Sequence, residues 1–227
     1  MNQPFRDPMI PAGEKAAYRA SLGADENYDV VVSVELEGDT RYRQLIEARL
    51  GELELVVEQA FARKNGMVLA ESYRAESRHD GELVTREEAY FRDTKHLQFG
   101  GAVKSFPADV TPLLGASIAL RGLDFSRGAR RQVNLWLAFS VFWQVDLKVE
   151  RRERVRLPIG SMEAWRVRAR PSFAQINGLL DRVIGGLLPP FTLHFDVEPP
   201  HRLLRFTFPT GPFPWDPRGL IELTAAE

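Results

Sequence analysis

Residues Val133 to Val149 carry an apolar side chain at every odd position: Val133, Leu135, Leu137, Phe139, Val141, Trp143, Val145, Leu147 and Val149. Successive side chains of a strand point to opposite faces, so this row lines one wall, whereas a helix would scatter it around its axis. The pattern predicts a core strand. Trp136, Ala138 and Phe142 on the even row cover the second face as well, and beyond Trp143 that row turns polar with Gln144, Asp146, Lys148 and Glu150. At about 3.3 Å per residue the stretch would run roughly 55 Å, long for a strand. It therefore predicts a bend near Ser140 in a sheet that curls round a core.

The same two-residue rhythm recurs along the chain. Tyr28, Val30, Val32, Val34 and Leu36 alternate with Asp29, Ser33, Glu35 and Glu37, and Gly38-Asp39 supplies a turn. Residues 41–63 fit two templates: Leu45, Ile46, Arg49, Leu50, Leu53, Val56, Val57, Ala60 and Phe61 at helical spacing, or Leu53, Leu55, Val57, Gln59 and Phe61 as one strand face. Gly51 interrupts the segment midway and Asn65-Gly66, a favoured two-residue hairpin turn, follows it, so two strands are the preferred reading. Met67 to Ser77, the turn Asp80-Gly81, and Glu82 to Arg92 extend an antiparallel meander. Residues 100–128, rich in Gly and Pro, predict a long connection with a helical turn or two around Leu113 to Leu120. Strands Glu153 to Leu157 and Glu163 to Arg170 flank Pro158-Ile159-Gly160.

The one confident helix spans 172–188. Ser172 and Gln175 form a capping box, Phe173, Ile176, Leu180, Val183, Ile184 and Leu187 recur at helical spacing, and Gly185-Gly186 and Pro189-Pro190 end it. In the hairpin that follows, a loop at Glu198 to His201 places Phe191 opposite Phe208, Leu193 opposite Phe206, and Phe195 opposite Leu204. The other face then pairs Thr192 with Thr207 and His194 with Arg205. A one-residue slip would expose every aromatic ring, which pins this register. Leu220 to Thr224 predict a terminal strand.

Composition narrows function mainly by exclusion. With 227 residues and 44% hydrophobic content the chain can bury a substantial core, and it reads as a single domain, 1–227, with an irregular arm at 1–14. The 30 basic and 31 acidic residues balance, so no long-range field favours a nucleic acid. The clusters Arg127 to Arg131 and Arg151 to Arg156 read as solvated hairpin ends. The absence of cysteine removes disulfides, thiolate catalysis and zinc-thiolate sites. The first residues lack a charged stretch followed by an apolar one, and the longest uncharged run, Gln132 to Val145, is short for a spanning helix and alternates. No transmembrane segment and a cytoplasmic location are expected.

Candidate chemistry is sparse. His79, His96, His194 and His201 show no metal-binding spacing; His194, Asp196 and Glu198 share one strand face but read as an exposed polar row, so no metal is expected. Glu87 and Glu88, between apolar neighbours, are acid–base candidates of the kind every meander carries on its wet face. No nucleophile elbow, phosphate-binding glycine loop or dinucleotide fingerprint occurs, and no catalytic residue or cofactor is assigned. What remains is an excess of aromatics, 14 Phe, 5 Tyr and 4 Trp, which fits either a curled sheet and greasy helix that fill each other, as close-packed interiors normally do, or an apolar cavity between them.

Pro11-Ala12-Gly13-Glu14 before Tyr18, the run Arg156 to Val167, and Pro200 to Pro212 resemble a bacterial domain family of unknown function. Its members begin with Gly-Glu before a Tyr-bearing strand and carry a Pro-Ala-Gly-Thr-Phe-x-Ala hairpin; here Ile159 and Ser161-Met162 replace the commoner Ala and Thr-Phe. The resemblance implies a curled antiparallel sheet similar to LolA-like lipoprotein carriers, whose helices plug a half-barrel that can hold acyl chains. It carries over no catalytic residue. The expected fold is thus mainly β: a curled antiparallel sheet, half-barrel or incomplete barrel, with one amphipathic helix packed on its concave face. The expected function is non-catalytic binding or carriage of an apolar, lipid-like molecule, with Trp136, Phe142 and Trp165 lining the cavity and Phe173, Ile176 and Leu180 as its lid. Two alternatives stay open: an isomerase- or cyclase-type enzyme using the same cavity, and an interaction protein docking through its amphipathic helix.

Overall fold

The computed structural model describes residues 5–21, 27–102, 110–114, 116–138, 141–172, 190–211, 213 and 215–227. Strands dominate. They are β1 (Phe5–Arg6), β2 (Glu14–Ser21), β3 (Asn27–Glu37), β4 (Arg41–Leu50), β5 (Leu53–Lys64), β6 (Met67–His79), β7 (Glu82–Tyr90), β8 (Lys95–Gln98), β9 (Gly101–Ala102) and β10 (Val110–Pro112). After a single helical turn, α1 (Ala116–Ala119), continued by the 3-10 turn Leu120–Gly122, come β11 (Arg130–Ala138), β12 (Val141–Leu157), β13 (Gly160–Pro171), β14 (Phe191–Asp196), β15 (Leu203–Pro209) and β16 (Arg218–Ala226). Among the described residues no helix is long and apolar enough to cross a membrane.

All the strands belong to one unclosed sheet, ordered β10-β11-β12-β13-β14-β15-β16-β2-β3-β4-β5-β6-β7-β8-β9, with β1 added beside β6. Pairing is antiparallel except between β10 and β11. The last strand lies against the first long one, Leu223 opposite Tyr18, and so joins the two halves of the chain. Residues 41–64 form two strands, not a helix, because Gly51 (φ 64) turns the chain where an L side chain would be strained. Asn65-Gly66 and Asp80-Gly81 have positive φ at both positions, as a two-residue hairpin with right-handed strand twist requires.

The Val133–Val149 stretch is a hairpin, which corrects the expectation of one long bent strand. Val133 faces Val145 and Leu135 faces Trp143, so odd residues meet odd ones until a bulge after Trp136 sets Ala138 opposite Val141. Residues 139–140, between β11 and β12, include neither Gly, Asn nor Pro, and Ser140 alone suggests a bend. Both faces of β11 are covered. Val133 and Leu135 pack with Leu147, Val167 and Phe195, while Trp136 packs with Tyr73, Ala89 and Phe91 from the other end of the sheet. The sheet is therefore rolled as a spiral, its β10–β11 end tucked inside the β6–β8 wall.

The interior is filled at one end by segments other than the expected helix. Residues 172–188 lie outside the described residues apart from Ser172, and the described helical piece sits instead where a turn or two was expected in the 100–128 connection. The N-terminal arm is irregular beyond β1, yet it is interior. Ile10 packs with Val34, Tyr42, Phe61, Val68 and Ile118, and Phe5 lies in the main cluster under the guanidinium of Arg131, 3.8 Å from its ring. Burying a Phe or Ile side chain stabilises by about 1.5–3 kcal/mol. Arg131 is thus half-buried rather than a solvated hairpin end, and burial lowers its pKa.

Two polar clasps fix this plug. Tyr42 donates its hydroxyl to Asp7 (2.6 Å) and accepts the Ile10 amide (2.9 Å), while Arg63 donates to the second Asp7 oxygen (2.7 Å). Arg121, at the end of the helical piece, donates from two nitrogens to the two carboxylate oxygens of Glu14 (2.7 and 2.8 Å) and from a third to the Pro200 carbonyl (2.8 Å). Glu14 and Arg121 are both buried.

Candidate binding site at the unplugged end

Cross-strand register decides which side chains share the inner face. Leu193 opposite Phe206 and Phe206 opposite Ile221 carry the inner row from β14 through β15 to β16, and Tyr18 opposite Val30 and Val30 opposite Ala48 carry it on to β4. Burial along this face differs between the two ends of the strands. At one end Val34, Tyr42 and Phe61 are buried against the arm and the helical turn, and Leu204 and Leu223 against Val155, Leu157 and Ala164 of the β12–β13 hairpin. At the opposite end Trp143, Phe191, Phe206, Phe208, Ile221, Tyr28 and Leu55 are only half-buried. Three of these form a ladder. The rings of Phe191 and Phe206 lie 6.1 Å apart with planes 15° from parallel, and those of Phe206 and Phe208 lie 5.2 Å apart. Phe208 stands opposite Gly219, and a Cβ added there would overlap the Phe208 ring, so the glycine lets the ring lie flat on the sheet.

The expected lining residues are not all brought together. Trp165 is buried in the main cluster, 6.4 Å from the Phe125 ring and with the Arg152 guanidinium 4.6 Å above it. Trp136, 1% exposed, lies on the other face of β11, edge-on to Tyr73 at 4.7 Å and to His96 at 5.3 Å. The backbone of Phe142 pairs with that of Trp136; its side chain and all of Phe173, Ile176 and Leu180 are outside the described residues. The ladder went unassigned from sequence, although the register that pairs Leu193 with Phe206 and aligns Phe191 with Phe208 already held its signal.

This is a known fold. Over 95% of this chain and 97% of the other, it superposes on the crystal structure of a β-barrel-like domain of unknown function, DUF1849, from Brucella abortus, with a TM-score of 0.56 and 13% identity. A Bacteroides fragilis protein with a YmcC-like fold also aligns, over 99% of this chain and 100% of that one, with a TM-score of 0.35 and 10% identity, which is too slight to build on. No family model matches the chain, and no curated protein does. The likeness bears out the expected curled-sheet bacterial domain at the level of fold.

Within this β-barrel-like fold the polar groups occupy defined rows. Glu87 points inward and pairs with His96 at 2.7 Å, both buried beneath Trp136, and burial together with the charge of Glu87 raises the pKa of neighbouring Tyr73. Glu88 points outward; bonds from Arg86 (2.7 Å) and Tyr90 (3.0 Å) outweigh burial and lower its pKa. A buried His–carboxylate pair can relay a proton, a capacity that sequence reading found only in part, through Glu87. His194 faces outward, opposite Arg205 as expected, and bonds Glu153 at 2.8 Å; burial lowers its pKa against the opposing pull of that carboxylate. Asp196 accepts the Glu198 amide (3.1 Å). Among the described residues, one group comes within metal-binding reach of one another, Glu52, His79 and Asp80, all exposed, His79 ending β6 and the other two in adjacent turns.

Proposed function

We propose that the chain binds an apolar, lipid-like molecule on the inner face of its half-barrel and does not transform it. The observation that carries this reading is the contrast between the two ends of that face. One is sealed by the chain's own arm and helical turn, and the other keeps a ladder of half-buried aromatic rings. Interiors are normally close-packed, and a row of aromatic carbon left half-exposed suits an apolar ligand. Trp165 would form the floor beneath the ladder, while Trp136 acts behind the wall by holding the roll of the sheet.

Residues 173–189 leave and return at this end, where the Ser172 amide donates to the Gln144 carbonyl (2.8 Å) and Phe191 begins β14. The expected lid residues Phe173, Ile176 and Leu180 belong to this connection and are proposed as ligand contacts. Native mass spectrometry of freshly purified protein, followed by titration of delipidated protein with a fluorescent fatty acid, tests the proposal. Replacing Phe206 by Ala should weaken the probe about tenfold, the equivalent of half-burying one aromatic ring. Absence of bound mass and of saturable binding across acyl, isoprenoid and polyaromatic probes would overturn it.

The buried Glu87–His96 pair favours a second reading, an isomerase- or cyclase-type enzyme on the same apolar substrate. Recovery of a chemically altered ligand from native protein, but not from His96→Gln, would select it.

A further inference from the structure

The loop between β15 and β16 rises at the same end as the aromatic ladder. Its neck is closed by Thr210, which donates both its amide (3.3 Å) and its hydroxyl to the Pro217 carbonyl. Its tip is held by Asp216, whose carboxylate accepts the Phe213 amide (2.8 Å) and whose own amide donates to the Phe213 carbonyl (3.1 Å). Gly211 leaves room for that carboxylate, because an added Cβ would overlap it. A loop so tied should bury its large apolar side chains. Instead the rings of Phe213 and Trp215 stack 4.9 Å apart, 4° from parallel, and stand 51% and 78% exposed. Trp215 is the most exposed large apolar residue described.

We propose that this loop inserts its Phe213–Trp215 pair into the interface of a phospholipid bilayer and so docks the half-barrel mouth-first on the membrane. Three observations select that partner. Stacked Trp and Phe rings suit the boundary between acyl chains and headgroups. From Thr210 to Arg218 the only charged side chains are Asp216, turned inward, and Arg218, exposed, so the tip offers aromatic carbon and a cation to a phosphate surface and no outward carboxylate. The loop also begins one residue after Pro209 and two after Phe208, where the inner phenylalanine row ends. An apolar ligand passing from bilayer to ladder beside this loop would avoid open water. The inference rests on the proposed apolar-ligand reading.

Co-sedimentation of the full chain with phosphatidylcholine vesicles, with and without phosphatidylglycerol, tests it while tryptophan emission is followed. Trp136 and Trp165 are buried but Trp143 is half-buried at the open end, so the part of the blue shift that is lost in Trp215→Ser reports the loop. Vesicle binding should fall at least about tenfold in Phe213→Ser/Trp215→Ser, and Arg218→Gln should weaken binding about fivefold on phosphatidylglycerol vesicles alone. A dispersed fluorescent fatty acid should still bind the loop variant as it binds the parent. Vesicle binding that depends on the loop in a protein that takes up no fatty acid would sink the ligand reading and leave docking intact. Fatty-acid uptake without vesicle binding would overturn docking, as would loop-dependent self-association in sedimentation velocity, which would assign the pair to a second copy of the chain.

Discussion

Replacing the buried Arg121 should loosen the plug without touching the ligand face. Its guanidinium makes two bonds to Glu14 and one to Pro200, and removing one partner of such a pair costs about 3–5 kcal/mol because the other charge is left buried. The two ends of the pair are not equivalent. Arg121→Met leaves Glu14 with Arg202 at 3.3 Å, so its cost should lie near the lower bound. Glu14→Leu leaves both guanidinium groups without their carboxylate, one of them buried, and should lie near the upper. For a chain of this size those losses correspond to a fall of roughly 6–20 °C in the melting temperature. The double variant Glu14→Leu/Arg121→Met replaces both charges with carbon and should recover most of the loss.

Urea unfolding followed by circular dichroism measures the series, urea being chosen because it does not screen charge. The pH dependence provides a second readout. Burial alone would raise the pKa of Glu14, but the Arg121 bonds and the charges of Arg121 and Arg202 hold it below 4.5, and Asp7 is likewise held below 3.8 against burial by Tyr42, the Met9 amide and Arg63. Folded carboxyl values depressed in this way contribute stability that is fully present above the unfolded values and is lost as pH falls through the folded ones. Parent stability should therefore drop steeply below about pH 4.5, and Glu14→Leu should show a shallower slope there. A cost under about 1 kcal/mol for Arg121→Met would mean that the pair is solvent-screened. A double variant weaker than both singles would refute the argument from desolvation.

Tyr42→Phe should cost about 2–4 kcal/mol in the same assay, because it strands the Ile10 amide and deprives Asp7 of a donor at a buried site; a loss within error would show that water replaces the hydroxyl. Gly219→Ala should lift the Phe208 ring and disturb the ladder at a stability cost of about 1 kcal/mol, with a weaker fatty-acid affinity; unchanged affinity would separate Phe208 from the site.

The strands were legible because a sheet with one dry face writes itself as alternation, and the turns were legible where positive φ demanded Asn, Asp or Gly, as at Asn65-Gly66 and Asp80-Gly81. The β14–β15 register was legible for the same reason as far as His194, beyond which a bulge sets Phe195 opposite Leu203 instead of Leu204. The β11–β12 reversal was not. When partners share parity, alternation runs unbroken through a hairpin, and only the turn residues can reveal it. Here Ser140 suggested a bend but not a reversal, and the apolar even row at Trp136, which does mark a strand covered on both sides, could equally belong to any central strand.

The plug and the site escaped for a further reason. Alternation tells which face of a strand is dry but not what keeps it dry, and the groups that seal this half-barrel are far apart in sequence: Asp7 with Arg63, and Glu14 with Arg121. Nothing local distinguishes Glu14 from any other carboxylate at the start of a strand. The same limit applies to Phe191, Phe206 and Phe208, which form one apolar row in the register. Whether such a row is core or binding surface depends on whether another segment fills the space above it. At one end the β12–β13 hairpin does so, and Leu204 and Leu223 are buried against its Val155, Leu157 and Ala164. At the other end Phe206 and Ile221, on the same two strands, are half-exposed. One pair of strands thus supplies both a closed core and a partly uncovered aromatic surface, and the difference between them is made by a separate hairpin of the chain.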